Sequence, residues 1–133
     1  MKIVAFEVED WEAQAFEELD DRYELRTTRD SLRADNAADY ADADAVSTFI
    51  NSQLSADVLK QFDHLKVIST RSTGYDHIDL DHCNDRGIVV CNVPTYGSNT
   101  VAEHVFGLLL TISHRLEEAI DRTRKGDFSP KGL

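Results

Sequence analysis

Short apolar runs alternate with helical patterns over the first three quarters of the chain. The apolar runs are "KIVAFEV" (2–8), "ADAVSTFI" (43–50), "LKVIST" (65–70) and "IVVCNV" (88–93). Their length and their β-branched content predict buried strands. "YELRTTR" (23–29) alternates weakly and predicts an edge strand. Residues 9–21, 55–62 and 78–87 predict helices or helical turns between these strands, with Trp11, Ala15, Phe16 and Leu19 on the inner face of the first.

This strand–helix repetition predicts an α/β fold with a parallel sheet and helices on both faces. About five strands in a domain of this size fit a flavodoxin-like order, 2-1-3-4-5. Ligands of such sheets bind outside the carboxyl ends of the strands. The loops 8–12, 49–53, 70–78 and 93–100 are therefore the candidate binding loops.

The C-terminal part predicts one long helix, from Asn99 or Thr100 to about Lys125. Asn99 with Glu103 four residues on, or Thr100 with Glu103 three residues on, resembles a capping box, which gives Glu103 a structural explanation. One apolar stripe runs through Val101, Val105, Leu108, Ile112, Leu116 and Ile120, and Phe106, Leu109 and Leu110 add a second apolar side. Because a single sheet covers only one side of a helix, we expect a second domain or a second subunit to cover the other.

Charge and composition exclude several classes of partner. The 133-residue chain has a formal net charge of −11, which argues against nucleic acid and anionic membranes as partners. Its apolar runs are too short to span a bilayer, and its N-terminus lacks a signal-peptide pattern, so we expect a cytoplasmic protein. Cys83 and Cys91 match no common zinc spacing, so no metal site is expected.

The segment "RSTGYDHID" (71–79) is the first candidate site. Gly74 allows close approach of a ligand, and consecutive backbone N–H groups around it can form an anion-binding concavity. Arg71 could pair with a ligand carboxylate or with Asp76. The alternative is an ordinary turn with Asp76 or Asp79 as the helix N-cap, and residue types alone favour that alternative.

The segment "NVPTYGSNTVAEH" (92–104) is the second candidate site. Tyr96 suits a small ligand, although a surface aromatic residue packed on the loop explains it equally well. The chain contains no GxG, so neither a dinucleotide fingerprint nor a P-loop is present. A phospho-receiver of the same fold is disfavoured, because the third and fifth strands end without the acid and the lysine that it needs.

"ISTRSTGYDHIDL", "GIVVCNVPTYGSNTVAEH" and "LLLTISHRL" together resemble the D-isomer-specific 2-hydroxyacid dehydrogenases, in particular their D-lactate dehydrogenase-like branch. The resemblance covers most of the chain and is strongest over 65–125. It implies that Ser72, Thr73 and Gly74 line the substrate site, with the backbone N–H groups of Thr73 and Gly74 holding the substrate carboxylate. It also implies that Tyr96 lies beside the substrate and that Val101 touches the nicotinamide of NAD.

The resemblance further implies a division of the chain. Residues 1–98 correspond to the substrate-binding domain, 99–125 to an interdomain helix that forms a homodimer, and 126–133 to a linker toward an NAD-binding Rossmann domain. The family's catalytic His, Arg and acidic residue are expected in that further part, so no catalytic residue is assigned here and the chain alone is expected to be inactive. The alternative is a standalone module that binds a small carboxylate, or dimerises, without catalysis.

Overall fold

The computed structural model describes residues 1–20 and 22–132, and the side chains of Leu19 and Asp20 lie outside this description. The predictions that concern Leu19 on the first helix and the last residue of the 126–133 segment therefore fall outside it too. The chain divides into two compact units, Met1–Pro94 and Thr95–Leu133, and each is described by itself. The predicted functional division at residues 98 and 125 stays a prediction.

A five-stranded parallel sheet forms the centre of the first unit. Its order is β2-β1-β3-β4-β5, which confirms the predicted 2-1-3-4-5 arrangement and the edge position of the second strand. The strands are β1 (Lys2–Ala5), β2 (Glu24–Thr27), β3 (Ala45–Thr48), β4 (Val67–Thr70) and β5 (Val89–Cys91).

Short helices connect these strands. They are α1 (Asp10–Asp20), a 3-10 helix (Ala37–Tyr40), α2 (Ala56–Leu59) and α3 (Leu80–Asp85). Asp79 caps α3, because its carboxylate accepts the N–H of His82 at 2.9 Å. Gly87 follows α3 with φ +66°, a conformation that glycine adopts at little cost.

The core lies on one face of the sheet. Val4, Val46 and Ile68 occupy one register row and belong to the buried cluster, with Val90 packed at its edge. The connecting helices cover this row, contributing Tyr40, Val58, Leu59 and Cys83 among others. Burial of this apolar row is the main contribution to the stability of the unit.

The second face of the sheet is only partly covered. Right-handed crossovers place the helix of a connection on one face or the other according to the direction in which the chain moves across the sheet. Only the β1–β2 connection moves toward the β2 edge, so α1 is the one described helix of the first unit that packs on this face. Ser69, Val89 and Cys91 consequently remain exposed on the β4–β5 half.

The inner face of α1 differs from the predicted one. Glu12, Ala13 and Phe16 are half-buried, whereas Ala15 is exposed and Trp11 keeps 81% of its surface exposed. The prediction followed the most apolar stripe. Phe16 of that stripe faces inward as predicted, but Trp11 and Ala15 do not, because the helix turns Glu12 toward the sheet, where it pairs with Arg71.

The second unit contains the long helix α4 (Ser98–Ser113) and the shorter α5 (Leu116–Arg124). The predicted long helix is therefore present. The prediction that it continues to Lys125 without a break is wrong. Arg115 adopts a left-handed conformation with φ 49°, which ends the α4 hydrogen-bond ladder and starts α5 in a new direction. The predicted capping box is also wrong, because the helix begins at Ser98, with Gly97 rather than Asn99 or Thr100 at its N-cap.

The apolar side chains of α4 are exposed on every side that the structure describes. The most exposed of the predicted stripe is Ile112, at 77%, and Phe106 on the second apolar side is 64% exposed. Of the described helices, none is both long and apolar enough to cross a membrane.

Candidate functional site

The loop that follows β4 lies at the carboxyl edge of the sheet, where parallel sheets bind ligands. Arg71 opens this loop and is occupied by contacts within the protein. Its guanidinium donates to the carbonyls of Phe6 at 3.0 Å and Glu7 at 2.8 Å and to the hydroxyl of Ser47 at 3.1 Å. It also forms a largely buried ion pair with Glu12, with Nε 3.3 Å from the carboxylate. Arg71 thus ties β1, β3 and α1 together, and its carboxylate partner is Glu12 rather than Asp76.

The carbonyl groups of the next three residues are each fixed by a donor of the protein. The Ser72 carbonyl accepts the N–H of Val93 at 3.0 Å. The Thr73 carbonyl accepts the side-chain amide of Asn92 at 2.8 Å, and the Gly74 carbonyl accepts the hydroxyl of Ser72 at 2.7 Å. The first two donors come from the same short segment after β5.

The orientation of the N–H groups follows from these anchored carbonyls. In a trans peptide, the C=O and the following N–H point in opposite directions, and none of the described peptide bonds is cis. The N–H groups of Thr73 and Gly74 therefore both point away from the 92–93 segment. Neither donates to a protein acceptor among the residues that the structure describes. Consecutive free backbone N–H groups are the kind of donor that backbone anion sites use.

Gly74 leaves space for the side chain of Asp76. A Cβ added at Gly74 would lie 3.1 Å from Oδ1 of Asp76, so a side chain there would displace the Asp76 carboxylate. The φ of Gly74 is not positive, so the requirement is for space rather than for a left-handed conformation. The same contact places an acidic side chain close to the free N–H groups.

The loop after β3 is held by a residue that the sequence analysis did not single out. The Glu7 carboxylate accepts the N–H groups of Phe49 at 3.1 Å, Asn51 at 2.8 Å and Ser52 at 3.0 Å. It also accepts the Ser52 hydroxyl at 2.5 Å. Glu7 itself has φ 56°, an uncommon conformation for a residue other than glycine.

The electrostatics of Glu7 reflect this set of donors. Burial, the largest single influence, raises the pKa of a carboxyl, but the hydrogen bonds from Ser52, Asn51 and Phe49 together hold the pKa of Glu7 below its usual value. Glu7 is therefore an ionised support of the 49–52 loop. A charged residue near the carboxyl end of a buried apolar run was the only sequence signal that could have identified it.

Tyr96 and Val101 belong to the second unit. Tyr96 lies before α4 and is 66% exposed, and Val101 lies in the first turns of α4 and is 64% exposed. Ser72, Thr73 and Gly74 lie together in the first unit, and Ser72 is 3% exposed. The structure thus brings three of the five predicted site residues together in one loop.

A small cavity of about 130 Å³ lies next to this loop, lined by Tyr75, Leu80, Val90 and Asn92. It lies on the side of the Asn92 side chain. The Gly74 N–H points away from that side chain, so this cavity is not the place toward which the free N–H groups are directed.

The cysteine and histidine side chains are the remaining candidates for a metal site or a reactive centre. Among residues 1–20 and 22–132, no group of three or more His, Cys, Asp or Glu side chains is placed to hold a metal ion. Burial, with a further contribution from Asp79, raises the pKa of the Cys83 thiol, which lies within the core. Cys91 is exposed at the sheet edge.

Comparison with known proteins assigns the family. Residues 3–125 match the family model "D-isomer specific 2-hydroxyacid dehydrogenase, catalytic domain". The chain therefore belongs to the D-isomer-specific 2-hydroxyacid dehydrogenase family, as the sequence motifs predicted.

Individual relatives and solved structures agree with this assignment. 2-Hydroxyacid dehydrogenase homolog 1 of Schizosaccharomyces pombe is 33% identical over 137 residues, covering 100% of this chain and 41% of the relative. D-lactate dehydrogenase of Escherichia coli is 29% identical over all of this chain and 42% of its own length. The crystal structure of D-lactate dehydrogenase from Aquifex aeolicus, complexed with NAD and lactic acid, superimposes with a TM-score of 0.83 at 31% identity, covering 98% of this chain and 39% of that one. The chain thus spans about two fifths of the length of the relatives it matches.

Proposed function

We propose that the loop after β4 binds the carboxylate of a small 2-hydroxy or 2-oxo acid. The observation that carries this proposal is the pair of N–H groups of Thr73 and Gly74, which have no acceptor among the described residues, while the carbonyls before them are anchored on the 92–93 segment. A carboxylate that accepts both N–H groups gains two charge-assisted hydrogen bonds. Arg71 takes no direct part, because its donors are used within the protein.

The reaction served by this site is the oxidation of a D-2-hydroxy acid to the 2-oxo acid, or its reverse. Family membership supports this reaction, and the relative solved with NAD and lactic acid supports NAD as the hydride acceptor and lactate or pyruvate as the substrate class. Tyr96 would lie beside the bound acid, with its apolar ring and polar hydroxyl suited to a short hydroxy acid.

Only a small part of NAD binding fits the residues of this chain. Val101 offers an exposed apolar side chain, which suits contact with the nicotinamide ring. The six glycines form no GxG, so the residues present do not fit the pyrophosphate of the dinucleotide. NAD supplies the hydride acceptor when bound, and we assign its main binding site to the remaining three fifths of the relatives' length.

The acid–base chemistry is assigned to the same remaining part. Hydride transfer requires a group that takes the hydroxyl proton and a group that polarises the oxo oxygen. In the described loops Arg71 is engaged with Glu12 and backbone carbonyls, and His77 contacts Thr70, so neither is free for these roles. We therefore expect this chain alone to bind substrate without catalysing its oxidation.

The exposed apolar surface of α4 is the proposed homodimer interface. Val101, Val105, Phe106, Leu108, Leu109, Leu110 and Ile112 are each at least half exposed. An apolar surface of this extent is unusual for a monomer and is typical of an interface. The cytoplasmic location stays a prediction.

Calorimetric titration with oxamate tests the carboxylate site, and oxamide serves as the neutral control of the same shape. We expect oxamate to bind and oxamide to bind at least about tenfold more weakly, because the amide offers no charged acceptor. Thr73→Val should retain most of the binding, since it keeps the N–H and removes only the hydroxyl, whose partner is the Val93 carbonyl at 2.9 Å. Equal affinity for both ligands would contradict a carboxylate site.

An NADH oxidation assay with pyruvate tests whether this chain binds the substrate while the remaining part supplies the acid–base groups. We expect no turnover by the 133-residue chain alone and turnover after addition of a polypeptide that carries the remaining three fifths of a relative. Turnover by the chain alone would contradict the assignment of the acid–base groups. Oxamate binding with no turnover in either mixture would favour the alternative, a carboxylate-binding module without catalysis.

A further inference from the structure

A series of hydrogen bonds that includes two buried hydroxyl groups lies within the loop that forms the proposed carboxylate site. Thr70 is fully buried and Ser72 is 3% exposed. The Thr70 hydroxyl oxygen lies 2.6 Å from the Ser72 hydroxyl oxygen and 3.3 Å from Nε2 of His77. The Ser72 hydroxyl lies 2.7 Å from the Gly74 carbonyl oxygen. Four residues between 70 and 77 are thus joined in one hydrogen-bonded series.

The direction of each hydrogen bond follows from the number of protons available. A carbonyl oxygen only accepts, so the single Ser72 proton is given to Gly74. Ser72 therefore accepts from Thr70, whose only proton is then used. Thr70 in turn accepts from His77, which fixes the proton of that imidazole on Nε2. Each donor polarises the next, and this strengthens the last hydrogen bond of the series.

This series sets the orientation of one further peptide group. The Gly74 carbonyl is drawn inward, toward the buried Ser72 hydroxyl. The Tyr75 N–H belongs to the same planar trans peptide and therefore points away from Ser72, toward the exposed side of the loop. It donates to no protein acceptor within the described part of the chain. The loop thus offers three successive free N–H groups, on Thr73, Gly74 and Tyr75.

We propose that Ser72 is a positioning residue that aims the Tyr75 N–H outward as a third backbone donor for the substrate carboxylate. The proposal rests on the proposed function of this loop and extends it. Ser72 then acts through the Gly74–Tyr75 peptide, and its side chain does not touch the ligand. Thr70 donates a hydrogen bond to Ser72, and His77 donates one to Thr70, so both residues help to fix the Ser72 hydroxyl.

Amide NMR of the ¹⁵N-labelled chain, titrated with oxamate, tests this assignment residue by residue. In the wild-type chain, the amide signals of Thr73, Gly74 and Tyr75 should all shift with one dissociation constant. Ser72→Ala should abolish most of the Tyr75 shift and weaken binding about tenfold, through the loss of one hydrogen bond to a charged ligand. Thr73 and Gly74 should still respond in that variant.

Two further variants separate positioning from a general loss of structure. Ser72→Thr keeps the hydroxyl and should restore the Tyr75 response. Ser69→Ala removes an exposed hydroxyl of β4 that makes no side-chain hydrogen bond among the described residues, and it should change nothing. If Ser72→Ala does not fold, the wild-type titration alone still decides whether Tyr75 responds.

The outcomes distinguish this inference from the function on which it rests. Shifts at Thr73 and Gly74 with an unmoved Tyr75 would overturn the third donor and leave the carboxylate site intact. A Ser72→Ala chain that responds like the wild type would overturn the positioning role. No shift at any of the three amides would overturn both.

Discussion

The loop after β4 and the helix α4 differ in the kind of chemical group that they leave without a partner in the protein. In the loop, the carbonyls of Ser72, Thr73 and Gly74 are all hydrogen-bonded within the first unit, and the free groups are N–H donors. In α4 the backbone beyond the first turn is satisfied by the helix itself, and most of the exposed groups are apolar side chains. Free polar groups on an otherwise satisfied loop suit a small ligand, whereas a broad apolar surface suits another protein surface.

The largest effect is expected where charge is placed on the apolar helix. Leu108→Glu combined with Ile112→Glu should convert the proposed dimer to a monomer, because burying two carboxylates in an apolar interface costs several kcal/mol. Light scattering coupled to size exclusion measures the change. Asn99→Glu with Ser113→Glu adds the same charge at polar positions of α4 and should leave the dimer intact. If the wild-type chain is a monomer, the exposed apolar surface of α4 is not a dimer interface.

Removal of the Arg71 side chain should strongly destabilise the loop region. Arg71→Met leaves Glu12 without its partner and the carbonyls of Phe6 and Glu7 without their donor. Loss of one member of a largely buried ion pair costs roughly 3 kcal/mol in the free energy of unfolding. Urea denaturation measures this loss, and Glu12→Gln with Arg71→Met should be less damaging than the sum of the single changes. A loss below about 0.5 kcal/mol for Arg71→Met would show that the loop does not depend on this residue.

Replacement of Glu7 should cost less and should change the dependence of stability on pH. Glu7→Gln should lower the free energy of unfolding at neutral pH by roughly 1–2 kcal/mol, because the neutral amide accepts more weakly from the 49–52 loop. In the wild-type chain the Glu7 pKa is lowered on folding from its ordinary 4.5. Its stabilising contribution is therefore complete above pH 4.5 and is lost as the pH falls through the lowered folded-state value.

The measurement for Glu7 is urea denaturation at several pH values from neutral to strongly acidic. The wild-type curve should lose stability in acid more steeply than the Glu7→Gln curve, so that the two converge. Asp35→Asn, at an exposed carboxyl without a hydrogen bond or ion pair among the described residues, is the control and should follow the wild type. Parallel curves for wild type and Glu7→Gln would contradict the lowered pKa.

The smallest effect is expected at Asp76, whose carboxylate lies beside Gly74. Asp76→Asn removes a negative charge near the proposed anion site and should tighten oxamate binding about two- to threefold at low ionic strength, with less effect in high salt. Asp81→Asn changes an exposed acid of α3 and should leave the affinity unchanged. Weaker binding by Asp76→Asn would instead show that this carboxylate supports the loop.

The strand order and the position of the loops were predictable because the sheet imposes a simple pattern. Buried parallel strands need continuous apolar runs, and the loops at their carboxyl ends follow from the order of those runs. The break at Arg115 was not predictable in this way, since no glycine or proline marks it. The exposure of Trp11 depends on the Glu12–Arg71 pair, which joins residues far apart in sequence.

The candidate site was predictable in place but not in geometry. The motif around Gly74 located the loop, and family resemblance gave the two N–H groups their proposed ligand. The anchors of those groups, Asn92 and Val93, come from the segment after the next strand, and periodicity carries no information about such hydrogen bonds. Glu7 was missed for the same reason, because its partners lie more than forty residues away.

A crystal structure of the chain with oxamate tests the central claim most directly. The account predicts a carboxylate oxygen within hydrogen-bonding distance, about 3 Å, of the backbone nitrogens of both Thr73 and Gly74. The carbonyls of those residues should keep their contacts with Asn92 and Ser72. Oxamate bound in the cavity beside Asn92 and Tyr75, or on the guanidinium of Arg71, with the two N–H groups facing solvent, would contradict it.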